Sequence, residues 1–146
     1  DQASSYEAID AMQTFLNRYP SSEFKEEAGD IIDELQQKLE KKAYEKAKQY
    51  LQLRIYKSAI VAFENFRKGF PDSEFNEEIF FLKIEAQYEL AEQSLYSVQK
   101  ERYSLVKEYY EFFVDNYPQS KFLKNAEKYY GDSIDNLSKF AFDTIN

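Results

Sequence analysis

Apolar residues recur three and four positions apart along nearly the whole chain, the period of an amphipathic helix rather than of a strand. Ala8, Met12, Phe15 and Tyr19 trace one such stripe, which stops at Pro20. From Phe24 the stripe resumes through Ala28, Ile31, Leu35, Leu39, Ala43, Ala47 and Tyr50 with no proline, predicting one helix of about 30 residues. Arg54 to Tyr56 form a short connection, and Ala59, Ile60, Phe63, Phe66 and Phe70 mark a third helix. A fourth runs from Phe75 to about Tyr96. Its apolar positions, Ile79 to Leu82, Ile84, Ala86, Tyr88, Leu90 and Ala91, cover so much of the circumference that it must pack between neighbours. The last pair spans roughly Gln99 to Asn116 and Ser120 to Phe142, the latter carrying Phe122, Ala126, Tyr129, Tyr130, Ile134, Leu137, Phe140 and Phe142.

The pattern repeats. Tyr19-Pro20-Ser21-Ser22-Glu23-Phe24, Phe70-Pro71-Asp72-Ser73-Glu74-Phe75 and Tyr117-Pro118-Gln119-Ser120-Lys121-Phe122 share an aromatic before the proline, a Ser two after it and a Phe four after it. All three prolines are used this way, at separations of 51 and 47 residues. Five residues before them stand Phe15, Phe66 and Phe113; eight before, Met12, Phe63 and Tyr110; twelve before, Ala8, Ala59 and Val106. Eight residues after them come Ala28, Ile79 and Ala126, and eleven after come Ile31, Leu82 and Tyr129.

Each segment reads as a helix–turn–helix corner. Proline cannot continue the preceding helix and drives the residue before it out of the α region. Ser22, Ser73 and Ser120 then stand where a hydroxyl caps orphan backbone N–H groups, with Glu26, Glu27, Glu77 and Glu78 set to complement a positive helix end. Six antiparallel helices follow in sequence. Helix pairs of this kind bury their apolar faces by stacking on the pairs before and after, so the expected fold is all-α, a tetratricopeptide-like right-handed superhelical solenoid. Residues 1–146 are read as a single repeat domain with turns at 19–24, 70–75 and 117–122, and as part of a longer chain.

Composition narrows the function. The net charge of −8, from 27 acidic and 19 basic residues, repels phosphate backbones and anionic headgroups, so nucleic acid is not an expected partner. No apolar run reaches the roughly 18 residues that span a bilayer, and Asp1 to Tyr6 show no leader pattern. With no His and no Cys, imidazole bases, thiolates and soft metal ligands are all lacking, so no catalytic residue, metal ligand or cofactor site is expected. The carboxylate pairs Glu26/Glu27, Glu77/Glu78 and Asp132/Asp135 read as helix-end electrostatics. Gly29, Gly69 and Gly131 stand alone and make no phosphate loop; Gly69 is taken to relax a helix end, Gly29 and Gly131 to permit close helix approach. Lys38, Lys41, Lys42, Lys46 and Lys48, interleaved with Glu40 and Glu45, read as a solvated face.

The aromatics carry the remaining signal. The chain holds 13 Tyr and 13 Phe, more than the repeat cores need. Phe15, Phe63, Phe66, Phe70, Phe75, Phe113 and Phe122 are assigned to the core. Tyr103, Tyr109, Tyr110, Tyr129 and Tyr130 are the candidate partner-binding residues, because adjacent tyrosines diverge by about 100° on a helix and tyrosine suits interfaces.

The small, aromatic and proline positions Ala59, Phe63 and Pro71 resemble the tetratricopeptide pattern, although the spacing of the prolines exceeds that pattern's period of roughly 34 residues. Phe15, Phe66 and Phe113 stand where that pattern prefers Ala. The stretch Ala8 to Phe24, Ala-Ile-x-x-Met-x-x-Phe-Leu-x-x-Tyr-Pro-x-Ser-x-Phe, is similar to the outer-membrane assembly lipoprotein family of the BamD type, as are Ala59 to Phe75 and the long helix with Tyr44 and Tyr50. The resemblance covers essentially the whole chain, as that family's C-terminal repeats. It implies a non-enzymatic scaffold at the periplasmic face of the outer membrane, held by a lipidated Cys upstream of Asp1. The implied partners are subunits of the β-barrel assembly machinery, above all the POTRA domains of the barrel subunit. The alternative is a general tetratricopeptide adaptor in another envelope or cytosolic complex.

Overall fold

The computed structural model describes residues 2–145, with side chains from residue 2 to residue 140. The elements are α1 (Gln2–Arg18), α2 (Lys25–Gln52), α3 (Tyr56–Gly69), α4 (Asn76–Glu92), α5 (Tyr96–Asn116) and α6 (Leu123–Ile145), with no strand among the described residues. This is the all-α, tetratricopeptide-like helical repeat that the periodicity predicts. The chain forms two compact units, Asp1–Ala43 and Tyr44–Asn146, whose boundary falls within α2.

The three proline corners share one backbone. In each, the aromatic before the proline donates its N–H to the carbonyl of the Phe four residues back: Tyr19 to Phe15 at 2.9 Å, Phe70 to Phe66 at 2.8 Å and Tyr117 to Phe113 at 2.8 Å. The Ser hydroxyl oxygen accepts from the N–H two residues on, at 3.2 Å for Ser22–Phe24, 3.1 Å for Ser73–Phe75 and 3.0 Å for Ser120–Phe122. The serine therefore caps a tight turn, and the regular helix begins three residues after it, at Lys25, Asn76 and Leu123. The second corner has an addition the sequence did not announce. Asn76 Nδ2 donates to the carbonyls of Phe70 at 2.8 Å and Pro71 at 3.1 Å, tying α4 back onto the turn.

The two connections without proline are built differently. At the end of α2, Arg54 lies in the left-handed region at φ 61°, with Ile55 N–H bonded to the Tyr50 carbonyl at 2.9 Å and Arg54 N–H to that of Leu51 at 3.0 Å. Those are the two bonds of the glycine-type C-terminal cap, here made with arginine. Between α4 and α5 the sequence predicts a helix reaching about Tyr96 and a new one from Gln99. The structure ends α4 at Glu92 and starts α5 at Tyr96. Side chains hold that corner: Gln99 Nε2 donates to the Ala91 carbonyl at 3.0 Å, Gln87 Nε2 to that of Arg102 at 3.1 Å, and Ser94 links Leu90 and Arg102.

In residues 44–146, α4 packs against α3, α5 and α6, and α5 against α6. The core holds Ala59, Phe63 and Phe66 of α3, Ile79, Phe80 and Ile84 of α4, Val106 and Phe113 of α5 and Ala126 of α6. Burial of α4 extends to Phe81, Ala86, Gln87 and Ala91, as its apolar circumference requires. In residues 1–43 the buried side chains are Ala28, Ile32 and Leu39 of α2, and α1 contributes none. The repeat positions Ala8 and Phe15 are only half-buried, and Phe24 is 54% exposed. Pro20, Pro71 and Pro118 lie exposed at their corners.

One expectation is corrected. A Cβ added at Gly29, Gly69 or Gly131 would meet nothing within 4 Å, so close helix approach does not account for Gly29 or Gly131. Both face open space, and none of the glycines adopts a positive φ. Phe142, assigned to the last apolar stripe, lies outside the described side chains.

Candidate functional site

The candidate tyrosines lie on α5 and α6, and the structure divides them by depth. Tyr103 is 2% exposed, and its hydroxyl donates to Glu92 Oε1 at 2.8 Å. Tyr129 is half-buried against Tyr88, with ring centroids 5.0 Å apart, and donates to Glu85 Oε1 at 3.1 Å. Tyr88, which the sequence placed only in an apolar stripe, donates to Asp132 Oδ2 at 3.2 Å and tilts against Tyr103. Three tyrosines and three carboxylates thus bridge α4 to α5 and α6. Burial first, and the adjacent carboxylates second, push the Tyr88, Tyr103 and Tyr129 hydroxyls well above the ordinary tyrosine range, so each remains a proton donor at any physiological pH. Burial also raises the Glu85 carboxyl, partly offset by the Tyr129 hydrogen bond.

Tyr110 and Tyr130 form a separate unit. Their rings stack at 4.3 Å with planes 20° apart, joining α5 to α6, and both are half-buried. Tyr109 turns the other way, edge-on to Phe80, beneath the Lys83 ammonium at 3.7 Å from its ring centroid.

Lys83 is the functional-looking residue that sequence reasoning missed. It interrupts the apolar run Phe80-Phe81-Leu82-Lys83-Ile84, and that interruption was the available signal. Its side chain is 7% exposed, its Nζ lies 2.5 Å from Glu64 Oε1, and Arg67 Nη1 reaches the same oxygen at 3.1 Å. The Arg67 guanidinium stands 4.4 Å from the Phe80 ring centroid and 5.2 Å from that of Phe112. Desolvation lowers the Lys83 pKa, with Glu64 pulling the other way; desolvation would raise Glu64, but the Lys83 hydrogen bond and the two cations hold it below the ordinary carboxylate value. A lysine walled by aromatics with its carboxylate in contact is a paired charge, not an activated nucleophile in a cleft.

The lysine-rich stretch of α2 also splits. Lys38 pairs with Glu34 at 3.3 Å on an exposed face, as expected. Lys48 instead bonds Glu78 at 3.0 Å and the Tyr44 hydroxyl at 2.9 Å, and Tyr44 donates to Glu78 at 2.5 Å. The Tyr44 ring stacks on Phe75 at 4.3 Å and leans on Phe66 at 6.4 Å.

Among the described residues no group of three or more carboxylates converges to hold a metal ion, and no helix is long and apolar enough to cross a membrane. What the arrangement offers is relief: rigid aromatics and charges on a packed helical frame. Fold and surface together define a helical repeat scaffold of the tetratricopeptide-like kind. The chain belongs to the YfiO family of outer membrane lipoproteins, whose family model matches residues 1–104. That span holds the first two proline corners and ends within α5, and the family is the one the Tyr-Pro-x-Ser-x-Phe turns resemble. Its members are outer-membrane lipoproteins of the assembly type, scaffolds rather than enzymes. No curated protein is matched by the chain.

Proposed function

We propose that the chain is a protein-docking subunit of outer-membrane β-barrel assembly, binding the POTRA domains of the barrel subunit and other subunits of that machinery. In this reading the full protein sits at the periplasmic face, tethered by a lipid, and performs no chemistry. Family membership is the observation that carries it. The surface is of the right kind: the stacked Tyr110–Tyr130 pair is a preordered aromatic anchor bridging two helices, and such anchors dominate binding energies. Tyr103, Tyr109 and Tyr129 act beneath it, through Glu92, Phe80 and Tyr88 respectively.

Titrating the chain with the purified POTRA domains and following binding by interferometry tests this. The expected result is saturable binding, weakened about tenfold or more by Tyr110→Ala or Tyr130→Ala with helicity unchanged. Absence of binding at micromolar concentrations would overturn the docking role, and unchanged affinity in both variants would overturn the assigned surface.

A further inference from the structure

The two connections without proline differ from the proline corners in what they show to solvent. In residues 44–146, α3 packs on α4 across the short corner at 70–75, and α4 packs on α5 across residues 93–95, so consecutive helices run antiparallel. The α2–α3 and α4–α5 connections therefore stand at one end of that unit, and the corners at 70–75 and 117–122 at the other. With 14 and 17 residues, α3 and α4 are about 21 and 25 Å long, so the two connections lie within roughly one helical turn of the same height.

Leu95 is 79% exposed and Leu53 61%; Ile55 is exposed too, as is Tyr96 even with its ring 4.8 Å from that of Phe140. The other exposed large apolar side chains described in this unit, Val61 and Phe112, stand on the sides of α3 and α5. The opposite end shows Pro71, Asp72, Glu74, Pro118, Gln119 and Lys121 to solvent. Charge follows the same division. In a chain of net charge −8, no carboxylate occurs between Glu45 and Glu64 or between Glu92 and Glu101, the stretches that supply the exposed Arg54, Lys57 and Lys100. Arg54 is the clearest case. Its left-handed cap is a position that glycine fills without strain, and arginine there sets a cation at the tip between Leu53 and Ile55.

We propose that this end of residues 44–146 rests on an anionic phospholipid surface, with Leu53, Ile55, Leu95 and Tyr96 dipping into the headgroup boundary and Arg54, Lys57 and Lys100 lying among the phosphates. Two short tips carrying aliphatic side chains, a tyrosine and cations have the composition of an interfacial contact. A lipid surface takes up separate protruding side chains, where a protein partner would need a pocket for each. The negative charge of the rest of the chain keeps its other faces off the same surface, so the contact is oriented. Membership of an outer membrane lipoprotein family brings a membrane within reach, and the proposal uses nothing of the POTRA-docking reading.

The chain contains no tryptophan, so Leu95→Trp supplies a single fluorophore at the proposed contact and Gln119→Trp one at the opposite end. The probe is a vesicle of phosphatidylglycerol and phosphatidylethanolamine, with brominated acyl chains to report depth. The expected result is a saturable blue shift with bromine quenching in the Leu95→Trp protein and neither in the Gln119→Trp protein. Added to Leu95→Trp, Arg54→Gly keeps the cap and removes the cation, and Leu53→Ser removes an apolar tip; each should weaken partitioning about fivefold or more with helicity unchanged. No shift at millimolar lipid would overturn the proposal. Equal shifts from both fluorophores would overturn it too, by reducing the contact to unoriented adsorption. A shift produced by purified POTRA domains and not by vesicles would give this end to a protein and overturn the lipid assignment.

Discussion

Residues 19–24 and 70–75 fold into the same corner, with the same backbone and serine hydrogen bonds, yet the side chains around them lead different lives. Phe66 is 2% exposed while its counterpart Phe15 is half-buried; Phe63 is fully buried while Met12 is not. Backbone geometry at the corner depends on proline, serine and nearby carbonyls, all supplied between Phe15 and Phe24 in the first corner and between Phe66 and Phe75 in the second. Burial depends on what lies across the face, and only the second corner has a Tyr44. Local sequence therefore sets the turn, and partners at a distance set its energetic weight.

The largest test of that difference is to truncate the paired phenylalanines. Phe66→Ala should cost about 3–5 kcal/mol, the range for a fully buried aromatic, because its contacts with Phe70 and Tyr44 vanish into a cavity. Phe15→Ala should cost about 1 kcal/mol, since much of the ring already meets water. Hydrogen exchange resolves the two, because global denaturation of a chain with two units need not be two-state. Equal losses of protection would show that the first face is covered as fully as the second.

The next test concerns a feature with no counterpart in residues 1–43, the buried Lys83 with Glu64. Glu64→Ala strands a cation among Phe80 and Tyr109, and should destabilise residues 44–146 by about 2–4 kcal/mol. Lys83→Met keeps the length and removes the charge, so stability should be unchanged or rise by about 1 kcal/mol. Urea midpoints of both variants decide the matter. A loss in Lys83→Met as large as that in Glu64→Ala would mean that the ion pair contributes net stability beyond its packing.

These examples mark what the sequence made legible. Helix number, the three corners and the apolar seam of α4 follow from period and from proline–serine chemistry, both local. The end of α4 was misplaced because Gln87, Ser94, Gln99 and Arg102 hold that corner through side-chain bonds across two helices, and no proline marks it. Of the five singled-out tyrosines, periodicity placed all on α5 and α6, but depth came from neighbours on α4 that no stripe reveals: Tyr88, Glu85 and Glu92.

A smaller effect concerns the second corner and pH. Desolvation would raise the Glu78 carboxyl, but hydrogen bonds from Tyr44 and Lys48 and the charge of Lys48 hold it below its ordinary value of 4.5. A depressed carboxylate stabilises the fold fully above its unfolded-state pKa and loses that contribution as pH falls through the folded one. Residues 44–146 should therefore lose up to about 1 kcal/mol from this site on acidification below about pH 4.5, a size typical of partly exposed pairs. Glu78→Gln should lower stability at pH 7 and flatten this part of the acid limb, read from urea midpoints between pH 7 and pH 3. An unaltered acid limb would place the acid sensitivity elsewhere, with Glu64 as the next carboxylate held low.

The smallest effect is one on which the two units should agree. Gly29 of α2 and Gly131 of α6 sit inside helices with helical backbone, and a methyl group at either meets nothing within 4 Å. Alanine there makes no new contact and breaks none, so its effect comes from the freedom glycine has in the unfolded chain and alanine lacks. Gly29→Ala and Gly131→Ala should each stabilise their helix by about 0.5–1 kcal/mol, visible as slower amide exchange in α2 and α6 respectively. Because the gain is local, it should be the same in the lightly buried unit as in the densely packed one, unlike the phenylalanine pair. A loss of stability at either position would mean that the space beside that glycine is occupied in solution.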